Sequence, residues 1–318
     1  MNVNKIEEDE QKFADTLTNI SRVKYNVVGE TKIRDYSIVK IAPNHDSYYY
    51  KTETAKTCIV LHSTAGVLRS DLASLTKKDN HVSVPYIIAR NGTIYELFDP
   101  KYWSYHLGKG SVGGNSVNSK RSIGIELSNY GPLTKNGNEL ETIYSRIDYI
   151  DKNGTPKKTK KDVYCLDSET EHYTVVEDGF RDKKYFASFT KAQYEALDEL
   201  LDYLCTEYNI PREFIPYDKR FDVFPNSTDA KTFTGICSHV NFRKSGKWDL
   251  GPDFEWDLIC DDNDIIVEEV NITSTDETED IPNEKIETSN TRPVTPKTSS
   301  NRGIFSLVSK VLLKLFKK

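Results

Sequence analysis

Long apolar runs are missing from this 318-residue chain, and none approaches the ~20 residues that a membrane-spanning helix needs. The opening stretch MNVNKIEEDEQKFAD carries no apolar core of the kind a secretory leader has, so a protein made in the cytoplasm without a leader is expected. Cysteine is sparse and unpatterned. The five, Cys58, Cys165, Cys205, Cys237 and Cys260, are odd in number and form no C-x-x-C, which points to free thiols and against a disulfide framework. Positive charge is not in excess either. Charged residues make up 29% of the chain and the balance is −6, so nucleic acid is not expected as a partner. The length suffices for one large domain with appendages.

What is present is concentrated first in residues 235–254, GICSHVNFRKSGKWDLGPDF. His239 is followed eight residues later by Lys247 and ten later by Asp249. An imidazole and a carboxylate are the mixed pair that a catalytic zinc site uses, and Lys247 would place a fixed positive charge beside it. Gly246, Gly251 and Pro252 mark the segment as a loop. A catalytic zinc takes three protein ligands, so one more is required from elsewhere. Cys58 to His62 reads CIVLH, a buried strand ending in a histidine, and the turn residues that follow put His62 at the mouth of a cleft. Taken alone, His62 could equally be a hydrogen-bonded core histidine.

Several elements follow from periodicity. Leu68, Leu72 and Leu75 are spaced for a helix ending near Asp79 and Asn80. Residues 83–90 and 93–98 flank Asn91-Gly92, a pair suited to a type I′ hairpin turn. Thr190 and Gln193 form a capping-box pattern ahead of Tyr194, Leu197, Leu200, Leu201, Leu204 and Tyr208, which share one helical face; Asn209 and Pro211 end that helix at Tyr208. Residues 212–234 have no clear period and lead irregularly, with many aromatics, into the His239 loop.

Five segments in order, IVLHSTAG, VSVPYIIARNGTIYEL, YHLG, SIGIEL and HVNFRKSGKWDLGPDF, resemble the zinc-dependent N-acetylmuramoyl-L-alanine amidases of the type-2, peptidoglycan-recognition-protein-like family over roughly residues 55–258. The resemblance implies an α/β fold with a central mixed β-sheet flanked by helices. It implies Zn2+ held by His62, His239 and Asp249, with Lys247 and Glu126 as the catalytic lysine and glutamate. It makes peptidoglycan the expected substrate, cut between N-acetylmuramic acid and L-alanine. Trp103 and His106 match a cleft-lining motif only in part, being two residues further apart than usual, and are expected to contact substrate. One branch of the family has a tyrosine early in the strand before Asn91-Gly92; Val84 holds that position here, and Tyr86 is expected in the core.

The remaining segments are expected to be appendages. Residues 1–22 are polar and acidic and suggest a frayed helix ahead of a catalytic domain at 23–260. Residues 134–187 are an insertion, with a basic turn, DKNGTPKKTKK, between the two strands of a β-hairpin; His172 in it is placed on the surface. Residues 261–302 have the acidic, Ser/Thr/Pro-rich composition of a disordered linker. In residues 303–318, Ile304, Val308, Val311, Leu312 and Leu315 share one face and Lys310, Lys314 and Lys317 another. Such a helix, about 24 Å long, is too short to cross a ~30 Å hydrocarbon core and would lie on an anionic membrane surface or dock on a protein. Together with the missing leader, these features resemble a monomeric phage endolysin, with a non-catalytic peptidoglycan-binding module as the alternative.

Overall fold

The structure is a computed structural model and describes residues 3–17 and 23–260. The expected linker 261–302 and basic helix 303–318 lie outside the described residues. The chain runs α1 (Val3–Thr16), β1 (Asn26–Ile33), β2 (Tyr36–Ala42), β3 (Cys58–Ser63), α2 (Leu68–Leu75), β4 (Tyr86–Ile88), β5 (Ile94–Glu96), α3 (Asn115–Arg121) and β6 (Ser122–Leu127). It continues with β7 (Pro132–Asn136), β8 (Glu139–Thr142), β9 (Asp148–Ile150), β10 (Pro156–Lys158), β11 (Val163–Leu166), β12 (Tyr173–Phe180), β13 (Lys183–Ala187), α4 (Lys191–Tyr208), α5 (Ser227–Thr232) and β14 (Gly235–Ser238).

Seven strands form a mixed sheet in the order β1-β2-β5-β4-β6-β3-β14. The β4–β6, β6–β3 and β3–β14 pairs are parallel, which explains why β3 and β6 are apolar almost throughout: a parallel strand is covered on both faces. Alternation along β3 and β6 sends Ile59, Leu61, Ile123, Ile125 and Leu127 to the face that α4 covers. Helix α4 is as its sequence dictates. Thr190 Oγ1 accepts from Gln193 N, and Gln193 Oε1 accepts from Thr190 N. Asn209 ends the helix in the left-handed region at φ 51°. Tyr194, Leu197, Leu200, Leu201 and Leu204 are buried, each leucine contributing about 1.5–3 kcal/mol of apolar burial. Tyr86 is in the same core, as expected.

Three local expectations are modified. The acidic N-terminal segment is not frayed: Val3, Ile6, Glu10 and Phe13 of α1 are buried, and Phe13 packs edge-on against Tyr25 and Tyr95. Glu10 accepts from the Arg90 backbone N–H at 2.9 Å and from Ser128 Oγ at 3.2 Å, so α1 is bonded to two elements of the core. Helix α2 stops at Leu75, with Thr76 as its cap, rather than running to Asp79. Between β4 and β5 only Gly92, at φ 83°, is left-handed; Asn91 is not. The turn is therefore not type I′ but a three-residue loop closed by Ala89 N–H to Thr93 O at 3.0 Å.

The 134–187 region is larger than a single hairpin. With β7, it makes a five-stranded antiparallel sheet in the order β11-β8-β7-β13-β12. Strands β12 and β13 are joined by a two-residue turn, Arg181-Asp182, and both residues have positive φ, 48° and 67°. That is the type I′ geometry, here without glycine. His172 sits half-buried in a short 3-10 turn rather than on the open surface. Residues 148–157 form a hairpin in which Asp151 accepts from the N–H groups of Asn153 and Thr155 and pairs with Lys157 at 3.1 Å. None of the five cysteines forms a disulfide, and no described helix is long and apolar enough to cross a membrane.

Candidate metal centre and active site

The second face of β3 and β6 carries the chemistry. His62 lies opposite Glu126 in the β3–β6 register, and Ser238 of β14 lies opposite Leu61 of β3. His239, the next residue after β14, therefore arrives beside His62. Asp249 returns to the same place because its carbonyl accepts from Val240 N–H at 3.0 Å, closing the loop between them. The donor atoms converge. His62 Nδ1 is 2.9 Å from His239 Nδ1, and Asp249 Oδ2 is 3.0 Å from His239 Nδ1 and 3.4 Å from His62 Nδ1. All three residues are buried, and this is the one metal-competent cluster found among the described residues.

The surrounding hydrogen bonds fix where the ring protons sit. His239 Nε2 meets the Leu107 carbonyl at 3.0 Å, and a carbonyl only accepts, so Nε2 carries the proton and Nδ1 is bare. Ser122 Oγ donates to the Asn118 carbonyl at 2.6 Å, so it accepts from His106 Nε2 at 2.9 Å. That leaves His106 Nδ1 bare, to accept from His62 Nε2 at 2.9 Å, and leaves His62 Nδ1 bare in turn. Two lone pairs and a carboxylate oxygen thus face one another with no hydrogen among them. They repel unless a cation lies between them. Their spacing suits zinc, since a tetrahedral ion with bonds of roughly 2.0–2.1 Å sets its ligand atoms about 3.3 Å apart.

Ionisation states agree with that donor set. Burial pushes the His239 imidazole down to about 4, against the opposing charge of Asp249. Burial also lowers His62, with Lys247 adding to it and Asp249 opposing. His106 is held well below the usual histidine range by burial and by the neighbouring rings. Burial alone would raise Asp249, but Lys247, His239 and the histidine hydrogen bonds outweigh it and keep the carboxylate ionised. Neutral imidazoles and an ionised carboxylate are the forms that bind a metal.

Glu126 faces the same space. Its Oε2 is buried without a hydrogen-bond partner, and burial, with the charge of Asp249, raises its carboxyl well above the usual range while Lys247 opposes. The charge of Lys247 acts on His62, His239, Asp249 and Glu126 alike.

Two expected substrate contacts are placed differently. His106 stands behind His62, and both of its ring nitrogens are used within the protein. Gly124 makes room for it: a Cβ there would lie 3.1 Å from His106 Nδ1 and 2.6 Å from Val84 Cγ1. Trp103 is buried, stacked on Tyr50 at 4.3 Å and capped by Lys120 at 4.9 Å, which leaves it no open ring face. The functional partner that sequence reasoning missed is Ser122, whose hydroxyl orients His106. Its only signal was its place at the start of SIGIEL.

A family model described as N-acetylmuramoyl-L-alanine amidase matches residues 52–252. Among solved structures, the chain is similar to the N-acetylmuramyl-L-alanine amidase AmiD from E. coli, in complex with anhydro-N-acetylmuramic acid-L-Ala-D-gamma-Glu-L-Lys. Identity there is 22% and the TM-score 0.38, over 73% of this chain and 64% of AmiD. It is similar to the amidase LysC from Clostridium intestinale URNW at 14% identity and TM-score 0.35, over 69% and 93% of the two chains. AmpDH3 from Pseudomonas aeruginosa, in complex with an anhydromuramic pentapeptide, matches at 17% identity and TM-score 0.37, over 68% and 64%. The chain thus spans 64% of the length of AmiD. No curated protein matches.

Proposed function

The chain belongs to the N-acetylmuramoyl-L-alanine amidase family, and from that premise we propose that it is a zinc-dependent hydrolase of peptidoglycan, cutting the amide between the lactyl group of N-acetylmuramic acid and L-alanine. The observation that carries the metal dependence is the convergence of three unprotonated donors, His62 Nδ1, His239 Nδ1 and Asp249 Oδ2, within 3.4 Å of one another. These residues would hold the ion. When bound, it would supply Lewis acidity, polarising a carbonyl and lowering the pKa of water towards ~7.

The chain's own groups supply the rest. The carboxylate of Glu126 takes the proton of the attacking water as its oxygen bonds to the amide carbon, and returns that proton to the nitrogen as the C–N bond breaks. Its unpartnered Oε2 suits a group that waits for a proton. The Lys247 ammonium group balances the negative charge that develops on the carbonyl oxygen. The non-catalytic alternative, a peptidoglycan-binding module, is disfavoured because such a module needs neither the full donor set nor a buried, unpartnered carboxylate oxygen beside it.

The test is release of L-alanyl amino groups from purified sacculi, with and without a chelator. Activity that the chelator abolishes and zinc restores supports the proposal. Chelator-resistant cleavage excludes metal dependence, and binding without cleavage selects the module. The proposal extends to a phage endolysin acting as a monomer on the host wall, with residues 303–318 meeting an anionic membrane. That extension rests on sequence composition alone.

A further inference from the structure

The turn between β12 and β13 reaches the loop that carries Lys247 and Asp249. Arg181, at its tip, donates from Nη2 to the Val240 carbonyl at 3.0 Å and from Nη1 to the Lys247 carbonyl. Trp248 answers in the other direction, its indole N–H donating to the Arg181 carbonyl at 2.9 Å. Phe180, next to Arg181, packs so closely on Gly251 that a Cβ there would stand 2.8 Å from its ring. Val240 adjoins His239, and Lys247 lies two residues before Asp249. One guanidinium therefore joins the two stems of the loop just where they present the donor side chains.

The stems are also joined by Val240 N–H to the Asp249 carbonyl, but the outer part of the loop is open. Between the stems, residues 244–246 are exposed and Gly246 is left-handed at φ 71°. Arg181 itself is held at φ 48°, a region uncommon for a residue with a side chain and sustained only where surrounding contacts determine it. Burial lowers the pKa of its guanidinium, and the nearby Arg243 adds to this while Asp249 opposes. A half-buried cation beside the cluster, bonded to main-chain carbonyls rather than to a carboxylate, is not there as a surface ion pair.

We infer that Arg181 is a positioning residue: it fixes the geometry of Lys247 and of the Asp249 side of the donor set, and this gives the extra five-stranded sheet a role in the reaction. The inference rests on the function proposed above. Losing the clamp leaves the Lys247 carbonyl short of a donor and loosens the Lys247 side of the loop, and a misplacement of about 1 Å at a reacting group costs on the order of 100-fold in rate.

The experiment uses the full zinc-loaded chain with Arg181→Ala and Arg181→Lys, and reads three quantities. Expected for Arg181→Ala are a kcat on a muropeptide lowered roughly 10–100-fold with KM within about threefold, and a zinc Kd raised by about 10-fold. Amide exchange should be faster in residues 240–249 but unchanged in α4. Arg181→Lys, with a single ammonium in place of the fork, should restore only part of the loss. If Arg181→Ala does not fold, Trp248→Phe takes its place, since it keeps a ring and removes only the indole bond; the same loop-confined exchange is expected at smaller size. The inference is overturned if the variant loses thermal stability while its zinc Kd, kcat and 240–249 exchange stay within twofold of wild type. A wild-type chain that cleaves nothing would defeat the proposed function, while the zinc and exchange measurements would still decide the clamp.

Discussion

Replacing His106 by alanine removes no metal donor, yet it should weaken zinc binding. In the folded chain His62 Nε2–H has one acceptor, His106 Nδ1 at 2.9 Å. Without it, His62 has two options. It can keep the proton on Nε2 as a buried unpaired donor, at a cost of about 1–3 kcal/mol. Or it can move the proton to Nδ1, where it points at Asp249 Oδ2, 3.4 Å away, and is no longer a ligand. In either case zinc has to restore the unfavoured form, so the Kd should rise by about 5–150-fold. The assay is competition with a chromophoric chelator at neutral pH, on protein whose fold is checked by circular dichroism. His106→Gln, which can still offer an acceptor oxygen, should recover part of the affinity. Gly124→Ala, whose new methyl would press on the same ring from 3.1 Å, should reproduce part of the loss. A folded His106→Ala protein that binds zinc within twofold of wild type would refute the proton assignment and the role of the relay.

Glu126→Gln should retain zinc but lose roughly 100–10,000-fold in turnover on sacculi, and wild-type turnover would remove Glu126 from the mechanism. Glu10 gives a pH signature in stability. Burial raises its carboxyl from 4.5 to about 7, so between those values the folded chain keeps a proton that the unfolded chain has lost. Stability therefore falls as pH rises through that window, by at most about 3 kcal/mol from this group. Glu10→Gln should raise the Tm above pH 7 and leave it unchanged below pH ~4.5; an equal effect at both ends would mean that the carboxyl is not the cause. Truncation after Arg302 should abolish lysis of cells from outside and leave cleavage of isolated wall intact, and persistent lysis would deny residues 303–318 a membrane role.

The donor triad and α4 were legible for the same reason: each is specified locally. His239, Lys247 and Asp249 sit within eleven residues, His62 closes an unmistakable buried strand, and α4 has its cap, its period and its terminator written in order. What escaped depends on distant pairing. Strand β7 finds β13, Leu133 opposite Tyr185, across fifty residues, and no short pattern announces that. The apolar positions of α1, Val3, Ile6 and Phe13, do follow helical spacing, but the acids between them hide the stripe, and Glu10 is buried where a charge is least expected. The Asn91-Gly92 dipeptide suits more than one turn, and the strands' twist and register chose the wider loop. His106 was read as cleft lining because its motif is shared with neighbours in sequence; its actual partners, His62 and Ser122, are set by the β3–β6 register and by the absent side chain of Gly124.

Strand β14 stands at one margin of the large sheet, and among the described residues its strand partner is β3. His62 and His239 are separated by 177 positions along the chain. Such a contact is among the slowest kind to form, because so much chain must be ordered before it is rewarded. As the polypeptide emerges from the ribosome, the strand bearing His62 can be laid down early, but the donor set stays incomplete until β14 slots in. A metal held by His62, His239 and Asp249 would therefore enter only after the sheet has closed.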